Sequence, residues 1–100
     1  MAIRIIKLIS KEEIIGDVVG TDGVVTVENP MVLVPFQDEK KQVRINFIPY
    51  AAFAEGSKPS IGIYPHAIAA DYVPAEDIAN HYRSSFGSGI QIVPTMQGLK

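Results

Sequence analysis

An Asp22-Gly23 pair separates two valine-rich stretches, residues 14–20 and 24–36, and constrains the fold more than any other feature of the chain. A short Asp-Gly connection between β-branched runs is typical of a β-hairpin, because glycine adopts a positive φ without steric cost. Residues 2–10 place apolar side chains on both alternating faces, which predicts a strand that is covered on both sides. The N-terminal third therefore predicts antiparallel β structure.

Proline interrupts the later predicted strands. Pro30 interrupts residues 24–36, Pro49 lies within residues 43–53, and Pro65 lies at the split between residues 61–64 and 67–73, which frame the fifth strand. Because proline removes a backbone donor, each position marks a bend or a sheet edge. Five bent strands within residues 2–73 predict a mainly β fold, a small barrel of the SH3-like or OB-like type.

A C-terminal helix is predicted over residues 74–86. Pro74 suits the first turn, and Glu76 and Asp77 lie where the helix dipole is positive. One face is apolar and would pack against the sheet or a neighbouring subunit: Ala75, Ile78, Ala79, Tyr82 and Phe86. Residues 87–100 form a tail whose IQIV segment could add a strand, and the whole chain is interpreted as one domain.

The apolar content exceeds what one small core needs. The chain has 100 residues, of which 47% are hydrophobic, and no cysteine. A chain of this length buries only about two-thirds of the surface that its unfolded form exposes. The lack of cysteine excludes disulfides, thiolate zinc sites and cysteine nucleophiles. The surplus of apolar side chains predicts association between copies of the chain.

The N-terminal region predicts a soluble, cytoplasmic protein without a membrane partner. Arg4 and Lys7 stand inside the first apolar run, and no small-residue cleavage site follows, so the pattern does not match a signal peptide. No stretch approaches the roughly 18 consecutive apolar residues that a membrane-spanning helix needs.

Catalysis is not indicated by the sequence. His66 and His81 are the only two histidines, and neither is spaced from a nucleophile or a second ligand in a recognised pattern. The chain has no H-x-x-x-H motif, glycine-rich phosphate loop or nucleophile elbow. We therefore expect no enzymatic activity, no cofactor and no metal.

The spacing of the N-terminal strands resembles the first Sm motif. That motif runs as a leucine, a glycine three residues on, an apolar residue, a glycine, an apolar residue, and an aspartate followed four residues later by an asparagine. The chain matches its order and spacing at five positions: Leu8, Ile14, Gly16, Val18 and Asp22. Val25 stands where the motif often carries methionine. The chain departs at three positions: Lys11 for the first glycine, Thr21 for a usually apolar residue and Thr26 for the asparagine.

Nearly the full chain is similar to the small Sm-like proteins encoded by marine cyanophages. The segments that carry this similarity are IKLISKEEIIGDV, ENPMVLVP, RINFIPYAAF and YVPAEDIANHYRSSFG. The resemblance implies a strongly bent five-stranded Sm-like barrel and a strand-paired homo-oligomeric ring of roughly five to seven subunits. It also implies single-stranded RNA as a partner and, for a phage-encoded protein, the host cytoplasm as the compartment.

The first group of candidate RNA-contact residues follows from this resemblance. Asp22, Thr26 and Asn29 belong to the region that faces the central opening of Sm rings, where polar side chains can contact unstacked bases. Lys58 is the only base in the loop where the second Sm motif carries an Arg-Gly or Lys-Gly pair, which is not evident here. The simpler interpretation is that Asp22-Gly23 forms only a tight turn.

The second group consists of Lys40, Lys41 and Arg44, the one dense basic group of the chain, which could contact phosphates. Because Asp38 and Glu39 adjoin them, a solvated hairpin tip is the simpler interpretation. Three aromatic side chains could stack on bases, or belong to the core or an interface: Tyr50, Phe53 and Tyr64.

Two functions stay open at this point. The first is a ring-forming Sm-like module that binds single-stranded RNA weakly or by a non-standard mode. The second is a structural or protein-interaction ring without nucleic-acid binding, which the net charge of −2 and the missing basic motif favour. In the second case a protein partner would bind an exposed strand edge or the helix face.

Overall fold

The computed structural model describes residues 2–56, 58–84 and 91–93 of the chain. These residues form seven strands, one 3-10 turn and one helix. The strands are β1 (Ala2–Leu8), β2 (Glu13–Gly20), β3 (Val25–Gln37), β4 (Val43–Pro49), β5 (Ser60–Ile63), β6 (Ile68–Tyr72) and β7 (Gln91–Val93), the 3-10 turn is Pro65–Ala67, and the helix is α1 (Glu76–Ser84).

The strands pair in the order β6-β1-β2-β3-β4-β7, and β5 pairs with β3 beside this path. Every pairing is antiparallel. The predicted mainly β class is confirmed. The described strands form an open sheet, and closure into a five-stranded barrel is not seen among them.

Several predicted boundaries differ from the structure. The predicted fourth strand, residues 43–53, ends at Pro49, because the chain turns and the Ala54 amide donates to the Ala51 carbonyl at 3.0 Å. The predicted fifth strand is two strands, β5 and β6, since the 3-10 turn separates them. Of the predicted helix, residues 76–84 are helical, while residues 85 and 86 lie outside the described residues. β7 supplies the strand that the tail could add, and the rest of the tail lies outside the described residues.

β3 is the longest strand and organises the sheet. β2 runs along one side of it, whereas the other side holds β5 at residues 25–28 and β4 at residues 31–37. The change of partner falls at Asn29-Pro30, the predicted interruption, where Asn29 adopts a φ of 52°. The sheet therefore forks at the proline, and the two halves of β3 lie in different surroundings.

Both faces of the β1–β2 ladder are buried, as the apolar pattern of residues 2–10 predicts. Ile5 pairs with Ile15 across the ladder and packs in the core beneath α1, together with Phe47. Ile6 pairs with Ile14 and belongs to a second core on the opposite face. The prediction of a strand covered on both sides is confirmed.

Tyr82 joins the helix to the fork of the sheet. Its side chain is fully buried, and its hydroxyl donates to the backbone carbonyls of Glu28, at 3.1 Å, and Asn29, at 2.8 Å. Burial raises the pKa of Tyr82 above its ordinary value, and the nearby Asp17 carboxylate adds to that shift. The phenol therefore stays neutral, as a donor must, and satisfies carbonyls that the interrupted strand presents.

Gly16 is required where β2 passes the fork. A Cβ atom at this position would overlap the Cγ1 of Val27 and would lie 3.2 Å from the carbonyl oxygen of Glu28. Gly16 is buried, so a larger side chain has no route to solvent. The glycine of the Sm-like pattern thus stands where two strands approach closely.

The turn between β1 and β2 places Lys11 in a backbone conformation that favours glycine. Lys11 has a φ of 79°, and its amide donates to the Leu8 carbonyl at 2.8 Å, which ends β1 two residues before the predicted end. A left-handed conformation costs roughly 1–2 kcal/mol for a residue with a Cβ atom. Lys11 is also the position at which the Sm motif carries its first glycine.

Replacing Gly16 with alanine is expected to lower the free energy of unfolding by about 1–3 kcal/mol, because the added methyl group forces Val27 to move. Urea unfolding would measure the change. Gly20→Ala is the matched control, since the nearest atoms to a Cβ there are 3.9 Å away on Thr26. Equal effects of the two changes would show that the close approach at Gly16 does not constrain the fold.

Replacing Lys11 with glycine is expected to raise the free energy of unfolding by about 0.5–1 kcal/mol, because relief of the left-handed strain exceeds the added entropy of the unfolded chain. Thermal and urea unfolding would test this. Lys7→Gly, the same change within β1, should lower stability by about 0.5–1 kcal/mol. A loss of stability in Lys11→Gly would contradict the assigned conformation.

Candidate assembly edges and RNA-contact residues

Three strands pair on one side only among the described residues, and the shortest of them is β7, which pairs only with β4. β6 pairs only with β1, and β5 pairs only with β3. Natural sheets protect such edges with lysine, proline or bulges. β6 contains neither lysine nor proline, and its one charged residue, Asp71, forms an ion pair with Arg4 at 3.4 Å. A bulge between Lys7 and Leu8 is the only irregularity in its ladder.

The surface around the β6 edge is apolar. Ala69 and Ala70 are exposed, Tyr72 is 44% exposed, and Val73, which follows the strand, is 70% exposed. Isolated exposed apolar residues need no explanation. Consecutive apolar residues on an open strand edge, however, favour pairing of that edge with a strand of another chain. β6 therefore has the composition of an assembly edge.

The first group of candidate RNA-contact residues lies along the N-terminal half of β3. Asp22 is exposed in the β2–β3 connection, where Gly23 has a φ of 80°, so the predicted hairpin is present. Thr26 is half-buried and pairs with Gly20 on β2 and Gly62 on β5.

Asn29 and Lys58 are brought together by a backbone contact. The Asn29 amide donates to the Pro59 carbonyl at 2.8 Å, which places the exposed Lys58 one residue from that contact. The four candidates Asp22, Thr26, Asn29 and Lys58 thus share one half of β3 and the segment beside it.

Two stacked aromatic rings lie at the same end of the sheet. The ring centroids of Tyr64 and His66 are 5.9 Å apart with an interplanar angle of 15°, and Tyr64 is 62% exposed. Since Val25 pairs with Ile63, the pair adjoins the connection that carries Asp22. Sequence reasoning named Tyr64 as a stacking candidate but found no role for His66. The sequence feature that could have indicated the stacked pair is the Tyr64-Pro65-His66 order, because a 3-10 turn here brings the first and third of these residues into contact.

The second group lies at the other end of β3. Lys40, Lys41 and Arg44 flank the β3–β4 connection, and 11 strand positions separate Thr26 from Gln37, about 36 Å of strand path at about 3.3 Å per residue. The structure therefore does not bring the two predicted groups together.

Asp38 organises that basic tip. Its Oδ1 accepts the amides of Lys40 and Gln42, each at 2.9 Å, and its Oδ2 accepts from Arg44 Nε at 2.7 Å. The Arg44 guanidinium, aided by these amides, holds the pKa of Asp38 below its ordinary value. The charge of Arg44 is thereby balanced within the tip, as the simpler interpretation of a solvated hairpin requires.

Other kinds of site find little support in the part of the chain that the structure describes. No cluster of three or more His, Cys, Asp or Glu side chains within it could hold a metal ion. None of its helices is long and apolar enough to cross a membrane.

The described residues thus present open edges on β5, β6 and β7, an exposed aromatic pair beside polar residues, and a basic tip in which Asp38 pairs with Arg44. Comparison with known proteins adds no relative: no protein-family model matches the chain, and no curated protein matches it.

Proposed function

We propose that the protein is a ring-forming, Sm-like assembly module. The observation that carries this proposal is that two different strands of one chain, β5 and β6, each pair on one side only. A contact between two different surfaces is heterologous, and it repeats around an axis until it closes into a ring or continues as a filament. Closure removes both edges from solvent, and roughly five to seven subunits is the expected size by analogy with small rings.

The lengths and composition of the two strands support this arrangement. β6 has five residues and β5 has four, so a β5–β6 contact between subunits can form an unbroken short ladder. Association would also cover the exposed apolar side chains that follow β6. Each 100 Å² of apolar surface so removed from water contributes about 2.5 kcal/mol before the entropy of association is subtracted.

We further propose that this assembly binds single-stranded RNA weakly, by stacking more than by charge. Tyr64 and His66 offer an exposed aromatic surface, and Asp22 and Thr26 offer polar groups nearby. Stacking of a base on an aromatic side chain contributes about 1–3 kcal/mol. Lys58 is the only cation of the first group, which favours few phosphate contacts.

The alternative is a protein-interaction ring without RNA. The net charge of −2 and the balancing of Arg44 by Asp38 favour it, because both reduce the attraction of a polyanion. Both functions assume the ring, and they differ only in whether it binds RNA or a protein. An RNA titration therefore distinguishes them.

The double variant Ala69→Lys/Ala70→Lys is expected to convert the assembly into monomers at micromolar concentration, because charges on an open edge oppose strand pairing. Light scattering coupled to size-exclusion chromatography would measure the mass. Val43→Lys is the control, since Val43 is 44% exposed on β4, outside both proposed edges. A wild-type chain that is monomeric at these concentrations would contradict ring formation outright.

Tyr64→Ala is expected to weaken the binding of a short labelled single-stranded RNA about tenfold, because the variant loses the stacking of one base on the tyrosine ring. Fluorescence anisotropy at low and moderate salt would measure it, and a single phosphate contact predicts a slope of about −0.7 in log K against log salt.

The control for this titration is Lys40→Ala/Lys41→Ala at the basic tip. It should bind RNA as the wild type does. If it loses binding while Tyr64→Ala retains it, RNA contacts the tip instead of the aromatic pair. If the wild type does not bind even at low salt, the RNA proposal is wrong and the protein-interaction ring is left.

A further inference from the structure

A pocket of about 320 Å³ opens between the N-terminal end of α1 and the face of the sheet beneath it. Its walls are apolar and come from four elements and the residue before α1: Ile5, Leu33, Pro35, Ile45, Ala75 and Ile78. At about 30 Å³ per water molecule, the pocket has room for about ten waters. This volume lies at the lower end of small-molecule sites, which span about 300–1,000 Å³.

Two polar side chains, Glu13 and Tyr72, complete the lining. The Tyr72 hydroxyl donates to Glu13 Oε1 at 2.5 Å, across 59 residues of sequence. Burial, with this hydrogen bond, raises the pKa of Tyr72 to about 12, so its phenol is neutral and a donor at neutral pH. One oxygen of the Glu13 carboxylate is engaged in this way, and the second can accept from a ligand.

No ion pair to Glu13 is found among the described residues. Lys7 stands opposite Glu13 in the β1–β2 register, but the ion pairs found among the described residues join Arg4 to Asp71 and Arg44 to Asp38. Glu13 is thus a half-buried carboxylate beside apolar walls, and its one hydrogen bond among these residues comes from a neutral phenol.

We propose that this pocket binds a small apolar molecule that carries one ammonium group. The apolar part would lie against Leu33, Ile45 and Ile78 and displace loosely held water. The ammonium group would donate to the free oxygen of Glu13. A neutral ligand of the same shape gains no attraction between opposite charges from that carboxylate, and an anion is repelled by it. The proposal does not depend on RNA binding or on the ring.

The test uses phenethylamine, 2-phenylethanol and phenylacetate as cationic, neutral and anionic probes of similar size. Titration of the ¹⁵N-labelled wild-type chain should show phenethylamine binding at least about tenfold more tightly than 2-phenylethanol, because the alcohol can donate only a neutral hydrogen bond to the carboxylate and lacks the attraction between opposite charges. Phenylacetate should not bind. The amide signals of Ile45, Ala75 and Ile78 should shift during the titration.

Three variants make the outcome decisive. Glu13→Gln should abolish the preference for the amine, while Glu12→Gln, whose carboxylate instead accepts from Ser10 at 3.1 Å, should keep it. Ala75→Phe should block all binding by filling the pocket mouth. Equal affinity for the amine and the alcohol, retention of the preference in Glu13→Gln, or shifts at residues away from the pocket would each overturn the proposal.

Discussion

The hydroxyl of Tyr82 connects the helix to the place where β3 changes its pairing partner. At Asn29-Pro30, β3 exchanges β5 for β4, and the carbonyls of Glu28 and Asn29 accept from a buried phenol. A buried hydroxyl and a buried carbonyl are each costly when left without a partner, roughly 1–3 kcal/mol. The helix and the interrupted strand therefore stabilise one another, and Gly16 allows β2 to pass close enough to complete that region.

The fork of β3 also determines how the candidate RNA-contact residues are distributed. The half of β3 beside β5 carries Thr26 and follows the connection that holds Asp22, near the stacked rings of Tyr64 and His66. The other half leads to the basic tip, which Asp38 holds together. A strand of this length separates the two groups too far for one short ligand to contact both, so the polar and the basic candidates are distinct surfaces.

The β6 side of the molecule combines two properties that proteins usually separate. Its edge has no lysine or proline, its one charged residue, Asp71, is paired with Arg4, and Tyr72 at its end also lines the apolar pocket beneath α1. The single hydrogen bond from Tyr72 to Glu13 joins the end of β6 to the start of β2. Assembly through this edge and occupation of this pocket would therefore concern neighbouring groups on one face of the protein.

Local pattern alone determined the mainly β class, the Asp22-Gly23 hairpin, the break at Asn29-Pro30 and the burial of both faces of β1. These features follow from backbone preferences and from the alternation of side chains, which depend on neighbours in sequence. Only the tertiary structure decided that β3 has two partners on one side, that Lys11 adopts a positive φ, and that Arg44 is balanced by Asp38. It alone brought Glu13 to Tyr72 and His66 to Tyr64. Most of these contacts join positions whose distance depends on how strands pair and where turns fall, and a one-dimensional pattern of apolar and polar residues does not encode that pairing.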